Sequence, residues 1–451
     1  MRQSILLPLT LVLFSMWARA AAYKQVAVHT LFNGEKLEEY KFENGFKVLV
    51  LPRHQAAVLT YQVWFNVGSV DEKMDPKLKK TGLAHLFEHM MFRGTLKYPD
   101  GEFDRITAEI GGDKQNATTS HNRTNYFESV PSNQLEKIME LESDRMANLQ
   151  LTTELFEKEK GAVVGELRLH LDRPSSIAFD ELMKTAFTTS PFQWTVLGTE
   201  AEIKGFTLQE AKYFYKTFYA PNNAMLIIVG DTKAAQLLPL VEKYYGGMKP
   251  QEVPKLPLPE EPVQKKERRF EGTHRQATSE LIVMAYRIPD IDSPDFAPLS
   301  LLGTHLSIGM EARLRKALID NGIAVGANAG PDSKPNFFQV YAQLAEGKKA
   351  EQALQIIDKE IQKARTTPIS KEAFERALNQ ELLEIYNEIV SNSTMGNILG
   401  ENYVQSGNFL RGFQLIEEYK KLTPSDLVRV AKAHLKPEGR SVVIIRPEKK
   451  P

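Results

Sequence analysis

Short apolar runs separated by polar breaks predict strands near 46–52 and 59–67. Beyond them the apolar positions Leu83, Ala84, Leu86, Phe87, Met90, Met91 and Phe92 fit a helix through "GLAHLFEHMMFRGT", residues 82 to 95. Strands follow near 113–119 and 125–130, then helices over 132–148, 153–171 and 175–186. Adjacent strands followed by runs of helices describe an α+β architecture rather than a doubly wound α/β one.

The pattern then repeats. "TLQEAKYFYKTFYAPNNAMLIIV" (207–229) and "TPSDLVRVAKAHLKPEGRSVVII" (423–445) each read as a helix start at Thr, an amphipathic helix, a Pro turn and an apolar strand. Thr207 maps onto Thr423 and Pro221 onto Pro437, both at an offset of 216. The strand-turn segments 59–72 and 279–290 correspond in the same way. Between the halves, 249–269 carries five prolines from Pro250 to Pro262. Such a segment extends at about 3.1 Å per residue, on the order of 60 Å in all, enough to set two domains face to face. The expected organisation is a leader at 1–20, one half at 21–248, the proline-rich linker at 249–269 and a homologous half at 270–451. Each half would be an α/β sandwich of a mixed sheet and helices. The "KKERR" run is expected to be a solvated linker end.

Composition narrows the partners. Lys plus Arg and Asp plus Glu both total 57 in 451 residues, so no charge excess argues for nucleic acid or an anionic membrane. The absence of Cys excludes disulfides, thiolate ligands and a lipidated N-terminal cysteine. Arg2, the apolar run Ile5–Trp17 and Ala18-Arg19-Ala20 have the form of a secretory signal cleaved after Ala20. The run is shorter than the roughly 20 apolar residues a spanning helix needs and contains Pro8, which argues against a stable membrane anchor. An exported protein is expected, periplasmic if the source is a Gram-negative bacterium.

Against this background His85, Glu88 and His89 stand out as polar side chains in apolar surroundings. On a helix the two imidazoles share one face and Glu88 flanks it. Two imidazoles and one carboxylate make a three-ligand zinc site that leaves a fourth position for water. The segment 154–172 supplies two carboxylates two turns apart, Glu159 and Glu166, of which one can ligate and the other support. H-x-x-E-H reverses the commoner H-E-x-x-H order and is the inverted zincin pattern.

With Glu166 77 residues beyond His89 and Glu159 seven before it, the chain resembles the pitrilysin or insulinase family of zinc metallopeptidases, which includes mitochondrial processing peptidase. The resemblance covers nearly all of the chain after the leader. It implies one zinc ion held by His85, His89 and Glu166, Glu88 as general base, Glu159 as accessory glutamate, and peptide substrates. "NATTSHNRTNY" (116–126) resembles the substrate-binding edge, with Asn116, Ala117 and Tyr126 at the matching positions. Asn122 stands where the family often has Asp. His121 is expected to be solvated and His170 not to ligate. Asn116, Asn122 and Asn392 begin formal glycosylation triplets that are read as incidental.

The resemblance also exposes a gap. The family's second half, or a partner's, usually contributes an Arg and a Tyr near the metal. In "ARLRKALIDNGIAVGA" (312–327) those positions fall on Ile319 and Val325, with Arg315 as a weak substitute. The expectation is a heterodimer whose homologous partner supplies the pair. The alternative is a non-catalytic structural or binding subunit of the same fold, against which the survival of His85, Glu88, His89 and Glu166 argues.

Overall fold

The computed structural model describes residues 22–332 and 335–448; the leader expected at 1–20 lies outside them. The first sheet has seven strands: β1 (Tyr23–Thr30), β2 (Lys36–Phe42), β3 (Lys47–Pro52), β4 (Val58–Phe65), β5 (Asp113–Thr119), β6 (Thr124–Pro131) and β7 (Ala224–Gly230). They run in the order β1-β2-β3-β7-β4-β6-β5. Only β3 and β7 are parallel neighbours. The second sheet has β8 (Arg268–His274), β9 (Leu281–Arg287), β10 (Ala324–Asp332), β11 (Phe337–Leu344) and β12 (Arg440–Pro447), in the order β10-β11-β9-β12-β8.

The offset of 216 read from the sequence recurs in the structure. Helix Leu208–Phe218 corresponds to Pro424–His434, the turn Pro221–Asn223 to Pro437–Gly439, and the start of β7 to the start of β12. Thr207 and Thr423 each open their helix with a capping box, closed by Glu210 and Asp426. β7 lies parallel to β3 and antiparallel to β4, as β12 does to β8 and β9. Every residue of β7 is buried, which is why its apolar run is continuous rather than alternating.

Each half lends the other a helix. Pro174–Ala186 packs its Ala178, Leu182 and Ala186 on Leu281, Val283 and Val443 of the second sheet. Asn392–Ser406 lays Met395 and Leu399 on Trp64, Met225 and Ile227 of the first. Glycine makes the second contact close enough: a Cβ on Gly400 would lie 2.2 Å from the Trp64 ring and one on Gly396 2.6 Å from the Gln62 amide. The linker has no regular structure up to β8, which begins at Arg268, two residues inside the stretch read as linker. It is fastened at Glu261, whose carboxylate accepts hydrogen bonds from Thr188 and Thr189, backbone and hydroxyl, and from the Ser190 backbone at 2.7–2.9 Å.

Candidate metal centre

The motif helix, Leu83–Met90, is oriented by its apolar face: Leu83, Ala84, Leu86, Phe87 and Met90 enter the first core. His85, Glu88 and His89 are thereby turned toward β5 and the long helix Thr153–Leu171. Gly82 starts the helix in the left-handed region at φ 99° and has no side chain to cap it. The cap comes from Glu72, which is fully buried and accepts from the backbone N–H groups of Gly82 (3.0 Å), Leu83 and Ala84 (3.2 Å). One carboxylate thus satisfies three of the four N–H groups that a helix start leaves unpaired.

The two imidazoles meet edge to face, with centroids 4.8 Å apart. Glu166 Oε2 lies 3.7 Å from His85 Nε2 and 3.2 Å from His89 Nε2. Behind His89, Glu159 Oε2 is 3.5 Å from Nδ1, and Glu159 Oε1 is 2.9 Å from Arg93 Nε. One ligand atom from each of His85, His89 and Glu166 lies within 4.8 Å of the others, and among the described residues no second group of three does so. Glu166, with 47% of its side chain exposed, joins the imidazoles, whereas Glu159 is buried behind them. Of the two carboxylates, Glu166 is the one placed among the imidazoles' facing nitrogens.

Electrostatics bind the group together. Burial, helped by the neighbouring His89, pulls His85 down to about 4. Burial also opposes charge on His89, but the carboxylates of Glu159 and Glu166 outweigh it and raise that imidazole to about 9. Glu166 is lowered, first by its hydrogen bond from His89. The buried Nδ1 of His85 has no hydrogen-bond partner. Two imidazoles and a carboxylate whose His85 Nε2, His89 Nε2 and Glu166 Oε2 atoms converge on one point fit a divalent cation of the zinc type.

Glu88 is held apart from this group. Its carboxylate accepts from the Thr119 hydroxyl at 2.5 Å, and burial raises its pKa above the usual carboxylate value. Thr119 ends β5, the outermost strand of the sheet, so the candidate base is fastened to a strand whose far edge has no neighbour among the described residues. On that strand Asn116 is exposed and Ala117 buried, and the Asn116 side chain accepts from the Ala117 N–H at 2.9 Å.

Tyr126 does not join them, which corrects the expectation of a substrate contact. It faces the core opposite Ala117, is 1% exposed, and shares a hydrogen bond with the Tyr219 hydroxyl at 2.8 Å. His121 is also not solvated: it is half-buried beside Phe192, and its Nε2 bonds to the Trp194 carbonyl. His170 pairs with Asp180 at 2.9 Å and stands outside the ligand group. In the second half Arg313 is tied to Glu360, Arg315 lies 3.6 Å from Asp320, and Val325 is exposed on β10. Sequence reasoning missed Glu72, Arg93 and Thr119; Arg93, four residues after His89, was the one with a spacing signal.

Residues 47–200 match the family profile described as Insulinase (Peptidase family M16), and residues 205–381 the one described as Peptidase M16 inactive domain. The zinc protease PqqE of Helicobacter pylori is 27% identical over 424 residues, 91% of this chain and 93% of that one. Mitochondrial-processing peptidase subunit beta of Dictyostelium discoideum is 24% identical over 427 residues, 90% and 87% of the two chains. The crystal structure of a protease from Helicobacter pylori superposes with a TM-score of 0.86 at 26% identity, covering 92% of this chain and 100% of that one. The first half of the periplasmic protease PqqL from Escherichia coli shares the fold, with a TM-score of 0.72 at 19% identity over 93% of each chain. Two successive profiles, relatives covering about nine-tenths of the chain and the shared two-sheet fold agree: the chain belongs to the insulinase family of peptidases, peptidase family M16.

Proposed function

We propose that this chain is the zinc-bearing subunit of an exported metallopeptidase that cleaves extended peptides. The observation that carries the proposal is the convergence of His85, His89 and Glu166 beside a raised carboxylate, Glu88, tethered to an open sheet edge. When bound there, one zinc ion supplies a Lewis acid for water and for the peptide carbonyl. The chain's own residues do the rest. His85, His89 and Glu166 hold the ion, and Glu159 fixes His89 from behind. Glu88 accepts a proton from the attacking water and returns it to the leaving amine, a role suited to a carboxyl whose pKa burial has raised. β5 aligns the substrate by main-chain hydrogen bonds, with the Asn116 side chain giving up the Ala117 N–H.

Catalysis is completed by a homologous partner. Ile319 and Val325 cannot donate to an oxyanion, and loss of such a donor typically costs on the order of 100- to 1,000-fold in turnover. The full PqqL protease is about twice as long: the shared fold covers 93% of this chain and 48% of that one. Peptide turnover by the chain alone and with a homologous subunit tests this: the pair should turn over at least a hundredfold faster. Full activity from the isolated chain, unchanged by Arg315→Ala, would sink the heterodimer. Intact mass of protein from the native host should place the mature N-terminus within a residue or two of Ala21; retention of Met1 would contradict export.

A further inference from the structure

β5 has two functional ends. Thr119, at one, touches Glu88. At the other, Asp113 and Lys114 open onto a cavity of about 810 Å³, bounded by the start of β4, the end of β6 and the turn between helices Lys371–Glu388 and Asn392–Ser406. One wall is apolar and open to solvent, with Val390 77%, Tyr386 46% and Val58 43% exposed and Ile389 buried between them, while Asp113, Lys114, Gln55 and Asn392 line the polar remainder. Its floor is rigid, because Arg53 pairs with Glu35 at 2.7 Å and donates to the Ile389 carbonyl at 2.9 Å.

The strand is irregular where it meets this cavity. Its register slips between Asp113 and Asn116, and Lys114 takes a left-handed φ of 57° within the slip. A bulge of this kind turns the strand and re-aims its side chains, and a non-glycine residue held at positive φ costs on the order of 1 kcal/mol. Asp113 and Asn116 lie opposite Ser129 and Phe127, so they share one face of the sheet, and Ser129 also lines the cavity. A peptide added along β5 would present every second side chain to that face. The six steps from Thr119 to Asp113 correspond to roughly 20 Å of extended chain.

We infer that the cavity is a distal subsite which takes one large apolar side chain of the substrate, about six residues from the scissile bond; this rests on the peptidase reading above. Extended main chain delivers that residue to the apolar wall, while nearer residues stay on the open edge. Burying one such side chain should raise kcat/KM on the order of tenfold to a hundredfold over Gly or Asp at the same position.

The test uses the zinc-loaded chain with its partner and a set of quenched-fluorescent peptides. After the cleaved bond is located by mass spectrometry, each peptide is lengthened one residue at a time on either side, with Leu, Phe, Gly or Asp at the new position. The expected result is a step in kcat/KM on one side only, at the fifth to seventh residue, for Leu and Phe, carried by KM. Val390→Asp should abolish the step and leave short peptides unaffected. Cleavage with no step, or with a step that Val390→Asp does not change, overturns the inference and spares the peptidase reading. Release of the partner by Val390→Asp in size-exclusion chromatography would assign this face to subunit docking instead, and absence of any cleavage defeats both readings.

Discussion

Glu261→Gln should loosen the linker from the first half by an amount that depends on pH. The Glu261 side chain is 8% exposed and accepts five hydrogen bonds from Thr188, Thr189 and Ser190. Burial alone would raise its pKa, but those donors outweigh it and lower the group from 4.5 to about 2. A carboxyl depressed on folding contributes stability that is complete above its unfolded pKa and is lost as pH falls through the folded one. At 1.36 kcal/mol per unit the contribution near neutrality is about 3 kcal/mol. About 1.4 kcal/mol of it should disappear between pH 6 and pH 3.5. Glutamine keeps the shape, cannot titrate, and turns an amide NH2 toward a ring of donors. Urea denaturation of wild type and variant across that range would measure the difference, which should shrink steadily as the solution is acidified. A difference that stays constant with pH, or one below about 0.5 kcal/mol at pH 7, would refute the clamp.

Two further substitutions probe how the site is held. Gly82→Ala forces a Cβ to 2.4 Å from the Leu197 carbonyl oxygen at a left-handed φ, so it should lower the melting temperature and weaken zinc binding together; unchanged zinc affinity by competition with a chelator would contradict the role given to this helix start. Arg93→Ala leaves the buried Glu159 carboxylate behind His89 without its cation and should weaken zinc affinity by about 10- to 100-fold; an unaltered dissociation constant would show that Arg93 is decorative.

The parts of this protein that could be read from its sequence are those decided locally. Apolar spacing gave the motif helix and the flanking strands because each buries one face within a few residues of chain. The 216-residue offset was visible because helix, Pro turn and strand repeat as one contiguous unit. What depended on tertiary placement was not visible. Glu159 and Glu166 lie on one helix, and only its rotation against the motif helix shows which reaches the imidazoles. Tyr126 was placed at the substrate edge by resemblance alone, and which face of β6 it occupies shows only in the structure, where it is 1% exposed and bonded to Tyr219. The helix exchange had a faint signature, Gly396 and Gly400 one turn apart, which acquires meaning only once Gln62 and Trp64 are beneath them.

Zinc stoichiometry and peptide turnover, measured together on Glu88→Gln and Glu166→Gln, test the central claim most directly. Glu88 is bound to Thr119 and stands outside the ligand group, so Glu88→Gln should retain close to one zinc per chain and lose hydrolysis. Glu166 bridges both imidazoles, so Glu166→Gln should lose the metal itself, and activity with it. Equal zinc loss in the two variants, or turnover by Glu88→Gln comparable to wild type, would contradict the assignment of ligand and base.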